Sequence, residues 1–326
     1  MCVYPRLVRN PKYTANKKNG GVIPTISDNR VAMVPIGCGR CIQCMKQKAN
    51  SWRIRLLEEV KENKNGIFVT LTFNNKSLIK LGEEINKGKI KIEGYELENQ
   101  ICKLAVRRFL ERWRKKYKKS IRHWLISELG HNGTERIHLH GILFTSVNNA
   151  RSEIQSIWNY GFVWTNDEKK GYVNEKTINY IIKYCTKTDI KHEYYKPIIL
   201  CSHGIGKGYV RSAKFNEHKF KGNDTRDYYR TYSGHKIKLP IYYRNKAFTE
   251  EEREKLWIEM LNKEERYIMG MKIKADDYDT IERAYSYAQE KSEELGYRGN
   301  KIDWDKKRYE NEIRNINKLV KLKNSK

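Results

Sequence analysis

The 326 residues contain no run of about 18 apolar residues, so no membrane-spanning helix is expected. The opening MCVYPRLVRN lacks the apolar stretch of a secretory leader, which makes the cytoplasm the expected location. No internal repeat is present. GIGKGY (204–209) has a lysine among glycines but lacks the spacing and the Ser/Thr of a Walker A loop, which argues against an attached ATP-driven helicase. Acidic residues are scarce: 39 Asp and Glu stand against 66 Lys and Arg, for a net charge of +27. A field of that size attracts polyanions. Nucleic acid is the first partner to consider, because each neutralised phosphate releases a counterion. The 22 tyrosines suit base stacking as well. At this length, 39 % hydrophobic residues supply core for one or two domains.

Residues 1–37 are polar and turn-rich and read as an extended arm. Ala49, Trp52, Leu56 and Val60 fall at helical spacing and predict a helix from near Cys41 to about Asn63, ended by Asn65-Gly66. GIFVTLTFN (66–74) alternates as a strand. Residues 75–98 read as a basic linker with room for a short hairpin. A helix over 99–118 aligns Ile101, Ala105, Phe109, Trp113 and Tyr117, with the basic run RRFLERWRKKYKK outside. RHWLISEL (122–129) and RIHLHGILF (136–144), joined by GHNGTE, read as a hairpin. A helix at 149–158 turns Ile154 and Trp158 inward; FVWT (162–165) is a strand, and a helix covers 176–188. Loops and short strands fill 190–245. Thr249 then caps a glutamate-led helix, with further helices near 275–295 and 303–321. The fold class is α+β, a central antiparallel sheet with flanking helices. The expected divisions are 1–65, 66–245 and a charged helical region at 246–326.

Chemistry concentrates in three places. His138 and His140 lie at i and i+2 of a strand and so share a face, where both imidazoles could bind one divalent cation. Glu128, near the end of the partner strand, can approach His138, with Glu135 as the reserve carboxylate. Two imidazoles and a carboxylate with open positions suit Mg²⁺ or Mn²⁺, and Zn²⁺ also fits. Without that cation the pair reads as ordinary polar residues on a half-exposed strand. In YIIKYCTK (180–187), Tyr180 and Tyr184 are i, i+4 neighbours, and Lys183 and Lys187 form a parallel row. A phenol is a weak nucleophile at neutral pH; a polarising metal and a nearby lysine reduce that handicap. A Tyr-x-x-x-Tyr pair also arises by chance in a chain this rich in tyrosine. Third, Cys38, Cys41 and Cys44 read C-x₂-C-x₂-C, and Cys2 lies upstream. Four thiolates could hold a structural Zn²⁺; an iron–sulfur cluster or unliganded thiols are the alternatives. Cys102, Cys185 and Cys201 read as small buried hydrophobes.

The order FVTLTF (68–73), HLH (138–140), YIIKYCTK (180–187) resembles the HUH endonucleases. More closely it resembles the rolling-circle replication initiators of microviruses, gokushovirus branch, which MCVYPRLVRNPKY and CGRCIQCMKQKANSWRIRL also resemble. The likeness spans about residues 1–245. It implies a nicking domain over 66–245 with an RNA-recognition-type core, acting in a bacterial host cytoplasm. By the resemblance, His138 and His140 match the metal-binding histidines, and Tyr180 and Tyr184 the tyrosine pair of the two-tyrosine class. Lys183 and Lys187 match the lysines beside them. The third metal ligand has no fixed motif there, so Glu128 rests on hairpin geometry alone. The implied activity is metal-dependent cutting of single-stranded origin DNA through a 5′-phosphotyrosine; the second tyrosine cuts the regenerated origin, and the released 3′-OH rejoins the strand. The implied partners are single-stranded DNA, the replication origin and host replication proteins, with no membrane. A transposase or relaxase of the same superfamily, or a non-catalytic basic DNA-binding or packaging protein, are the competing readings.

Overall fold

The computed structural model describes residues 2–88, 90–130, 135–166, 173–188, 191–299 and 302–323. In chain order the elements are β1 (Arg6–Arg9), β2 (Met33–Ile36), α1 (Ile42–Glu62), β3 (Gly66–Leu71), α2 (Asn75–Ile85), α3 (Gly94–Tyr117), β4 (Arg122–Leu129) and β5 (Ile137–Phe144). There follow α4 (Ala150–Trp158), β6 (Val163–Thr165), α5 (Glu175–Thr186), β7 (Ile199–Cys201), β8 (Tyr228–Arg230) and β9 (Lys236–Lys238). The chain continues through α6 (Ile241–Ala247), α7 (Glu250–Asn262), β10 (Glu265–Ile268), β11 (Met271–Lys274), α8 (Tyr278–Glu294) and α9 (Trp304–Lys323). The structure is α+β. Contacts divide it into two compact units, one of residues 53–208 with 302–326 and the other of 1–52 with 209–301.

The first unit holds a five-stranded antiparallel sheet in the order β6-β3-β5-β4-β7. Alternation assigns its faces. Val69, Leu71, Leu125, Leu129, Leu139, Leu143 and Val163 point to one side and join Ile101, Ala105, Phe109 and Trp113 of α3 and Ile154 and Trp158 of α4 in one buried core. Phe68, Thr70, Ile126, Glu128, His138 and His140 take the opposite side, because strand registry pairs Thr70 with His140, Ile126 with His140 and Glu128 with His138. Within the same unit, α9 is tied to α3 by the buried Arg314, whose Nη2 lies 2.8 Å from Glu98 Oε1. Part of the basic run on α3 is also structural. Arg108 pairs with Glu84, Lys116 with Glu153, and Arg112 donates to the Ile157 carbonyl.

In the second unit β1 pairs with β2, β8 with β9 and β10 with β11, all antiparallel. Thr249 caps α7 as its sequence suggests. Its hydroxyl accepts from Glu252 N–H at 3.2 Å while Glu252 accepts from Thr249 N–H at 2.8 Å. The β10–β11 turn has Met269 and Gly270 both at positive φ, the twist a two-residue hairpin needs.

Three local expectations need correction. Residues 75–85 are helix α2, not linker: Asn74 accepts from Ser77 N–H at 2.8 Å, and Leu78 and Leu81 are buried on one side. The supposedly unstructured arm contributes β1 and β2, whose pairing is long-range. Residues 265–274 form a hairpin in a stretch that reads as helical in character. The loop residues 131–134 between β4 and β5 lie outside the described residues.

Gly141 fixes how closely β4 and β5 approach. A Cβ there would overlap the Trp124 carbonyl oxygen and come within 2.8 Å of Leu125 Cα. Gly141→Ala should therefore cost about 1–3 kcal/mol or more by overpacking, read as a lower urea midpoint at an unchanged slope.

Candidate active site

Registry builds the site. Glu128 Oε2 lies 3.2 Å from His138 Nε2 and 2.9 Å from His140 Nε2, and the two Nε2 atoms are 2.9 Å apart. The far side of each ring is held. His138 Nδ1 donates to the Arg136 carbonyl at 3.1 Å, and His140 Nδ1 meets the Thr70 hydroxyl at 2.9 Å. The Arg136 carbonyl thereby turns His138 Nε2 toward the same point as the Glu128 carboxylate. A proton or a cation among the three atoms would satisfy them.

A cation fits. Donors about 2.1 Å from an ion at right angles are about 3.0 Å apart, close to all three edges of this triangle. Glu128, His138 and His140 thus form a group able to hold one metal ion. The carboxylate and imidazole donors suit Mg²⁺, Mn²⁺ and Zn²⁺ alike. Burial alone would raise the Glu128 carboxyl; hydrogen bonds from His138, His140 and Lys187 outweigh it and hold the group far below the ordinary carboxylate range. Burial pushes the His140 imidazole down, which keeps it neutral and available as a ligand. Glu135 does not join them: it is engaged by Arg314, whose Nη1 lies 3.1 Å from its Oε2.

Helix α5 lies over this face. Asn174 caps it by accepting from Thr177 N–H at 3.1 Å, and Ile178, Ile181 and Ile182 are buried. That leaves Tyr180 and Tyr184 on the flank nearest the imidazoles. The Tyr184 ring stacks on His140, with centroids 4.5 Å apart and planes within 9°. Tyr180 meets Phe68 edge-on at 5.8 Å. The Tyr184 hydroxyl donates to that of Tyr180 at 2.8 Å. The two differ in access: Tyr180 is 46 % exposed and Tyr184 5 %. Burial, the Tyr180 hydrogen bond and the nearby Glu128 carboxylate push the Tyr184 phenol well above its ordinary range.

The lysines divide. Lys183 Nζ sits 3.7 Å from the Tyr180 ring centroid. Lys187 pairs with Glu128 Oε1, the oxygen turned away from the imidazoles. Thr70, Phe68 and Trp164 have no assigned role in the sequence reading. Thr70 and Phe68 lie in FVTLTF, on the face opposite the core-facing Val69 and Leu71, and that phase is the signal that could have found them. Trp164, half-exposed on β6, meets Phe68 edge-on at 5.6 Å. With Asn166, Lys176, Thr177 and Tyr180 these residues line a groove of about 510 Å³.

Cys2, Cys38, Cys41 and Cys44 also come together, with their sulfur atoms all within 4.8 Å of one another. Cys102 and Cys185 are buried and Cys201 is half-buried. No described helix is long and apolar enough to cross a membrane.

Residues 66–189, which carry the sheet strands β3–β6 and helix α5, match a family model described as replication-associated protein ORF2. The match supports a replication-initiator role. No curated protein and no solved structure matches the chain.

Thr70→Val keeps the shape but removes the hydroxyl that orients His140. It should weaken Mn²⁺ binding about 10–100-fold, measured by titration against the unchanged protein. Protons compete with the metal for Nε2. Because the His140 imidazole is pushed below its ordinary value, near 6.5, Mn²⁺ affinity should hold down to about that pH and fall below it. A loss of affinity already complete above pH 7 would count against these ligands.

Proposed function

We propose that this chain is a replication-initiator endonuclease that nicks single-stranded origin DNA through a tyrosine. The supporting observation is the convergence of Glu128, His138 and His140 on one point, with a stacked tyrosine pair beside it, inside the segment matched to replication-associated proteins. The finer likeness, to microvirus initiators in a bacterial cytoplasm, rests on the sequence segments that resemble that family.

Glu128, His138 and His140 would hold the divalent cation, which supplies Lewis-acid polarisation of the scissile phosphate. Tyr180 is the first nucleophile in this reading. It is the exposed phenol, its oxygen already accepts a hydrogen bond, and Lys183 lies over its ring. Its oxygen bonds to phosphorus and the bond to the 3′ oxygen breaks. The phenolic proton leaves to solvent, and the 3′ oxygen gains a proton to become the primer hydroxyl. Tyr184, buried and protonated, is held for the second transfer, when the regenerated junction is cut and the 3′-OH rejoins the strand. The phosphotyrosine preserves the energy of the cut bond, so rejoining needs no ATP. Lys187 neutralises the outer oxygen of Glu128 and keeps that carboxylate ionised beside the phosphate. Trp164, half-exposed at the groove, offers an aromatic face to a base next to the scissile link.

With Mg²⁺ or Mn²⁺ and cognate origin strands, the protein should form a covalent adduct visible on a denaturing gel. Tyr180→Phe should lower the rate of first adduct formation by about 10³-fold, whereas Tyr184→Phe should still cut but fail to rejoin. An unchanged adduct yield in Tyr180→Phe/Tyr184→Phe would overturn the assignment. Trp164→Ala should weaken single-strand binding by the about 1–3 kcal/mol of one stacked base, roughly 5–150-fold, in a fluorescence titration.

A further inference from the structure

We infer that Cys2, Cys38, Cys41 and Cys44 form a structural zinc site that clamps the N-terminal residues to the start of α1. The first observation is spacing. Cys2 Sγ lies 3.8 Å from Cys41 Sγ, Cys38 Sγ lies 4.0 Å from Cys44 Sγ, and all four sulfurs fall within 4.8 Å of one another. Thiolates about 2.3 Å from a tetrahedral zinc are separated by about 3.8 Å. A polynuclear iron–sulfur cluster would hold its sulfurs farther apart, by the width of the cluster itself. The cysteines are not joined as disulfides.

The second observation is the backbone around the sulfurs. Tyr4 N–H and Cys38 N–H donate to Cys2 Sγ at 3.3 and 3.2 Å. Arg40 N–H and Cys41 N–H donate to Cys38 Sγ at 3.4 and 3.2 Å. The Cys2 and Cys38 sulfurs thus each accept two backbone donors, as metal-bound thiolates do. The loop is shaped for it. Gly39 has φ +73°, a conformation side chains disfavour, and a Cβ at Gly37 would stand 3.1 Å from Cys44 Sγ.

The position explains why a clamp is useful. Val3 and Cys41 pack with Ile268, Ile273, Ala284 and Ala288 in a small buried cluster. Polar ties to α8 surround it: Tyr4 Oη donates to Glu293 at 2.6 Å, Gln289 donates to the Val3 carbonyl at 2.8 Å, and Ile42 N–H donates to Ser292 Oγ at 3.3 Å. So few apolar residues hold residues 2–4 weakly; a metal bridging Cys2 to three cysteines at a helix start supplies the missing constraint. Cys2, far upstream of the other three, is the ligand that closes the loop.

The experiment is metal analysis of the full-length protein purified without added metal, beside the His138→Ala/His140→Ala variant. The expected result is one zinc per chain in both, released to a metallochromic dye in step with mercurial titration of four thiols. Replacement by Co²⁺ should give an intense sulfur-to-cobalt absorption band in wild type and in the histidine variant. Chelation should lower the melting temperature, with recovery on adding Zn²⁺ but not Mg²⁺. Four thiols that react freely with no metal released, iron in place of zinc, or zinc lost in the histidine variant would each overturn the inference. Because the readouts are made on wild type, a misfolded cysteine variant cannot blur the result. The DNA-nicking reading can fail while this site stands, and the reverse.

Discussion

Glu128 meets His138 and His140 across two antiparallel strands, and the rest of the candidate site takes its position from that encounter. Strand pairing sets the residues opposite one another; the two-residue repeat turns both imidazoles to one face; Gly141 lets the neighbouring backbones close. The hydrogen bonds to Arg136 and Thr70 then aim Nε2 of each ring inward. One carboxylate oxygen serves the imidazoles and the other is neutralised by Lys187. A one-residue slip of β5 would send both imidazoles to the core face.

The tyrosine pair adds asymmetry. Two chemically identical side chains, one helical turn apart, differ because one stacks on a buried imidazole and the other lines an open groove. Burial disfavours ionisation of Tyr184. The basic field of the chain attracts polyanions, but part of the α3 basic run is tied up in ion pairs and carbonyl contacts, so that helix is less free to track a phosphate backbone than its composition suggests.

Strong local periodicity was legible. The strand at 122–129, the strand ending at Phe144 and the helix carrying Tyr180 and Tyr184 emerge within a residue or so of their structural limits. So does the approach of Glu128 to His138. Helix α2 was obscured because its apolar stripe is short and a glycine interrupts it. The β10–β11 hairpin turns on Met269-Gly270 rather than an Asn-Gly signal, and β1–β2 joins residues far apart in sequence, so neither announces itself locally. Thr70 and Trp164 escaped for a related reason: their importance comes from what the neighbouring strand and helix place beside them, which a one-dimensional pattern does not carry.

In the proposed mechanism the Glu128–His138–His140 group directs a tyrosine of α5 onto DNA. The most direct test is mass spectrometry of the protease-digested covalent adduct made with an origin strand and Mn²⁺. The account predicts a nucleotide remnant on Tyr180 after a single turnover, and none when His138 and His140 are both alanine. A remnant on a residue outside α5, or an adduct that survives loss of both histidines, would contradict it.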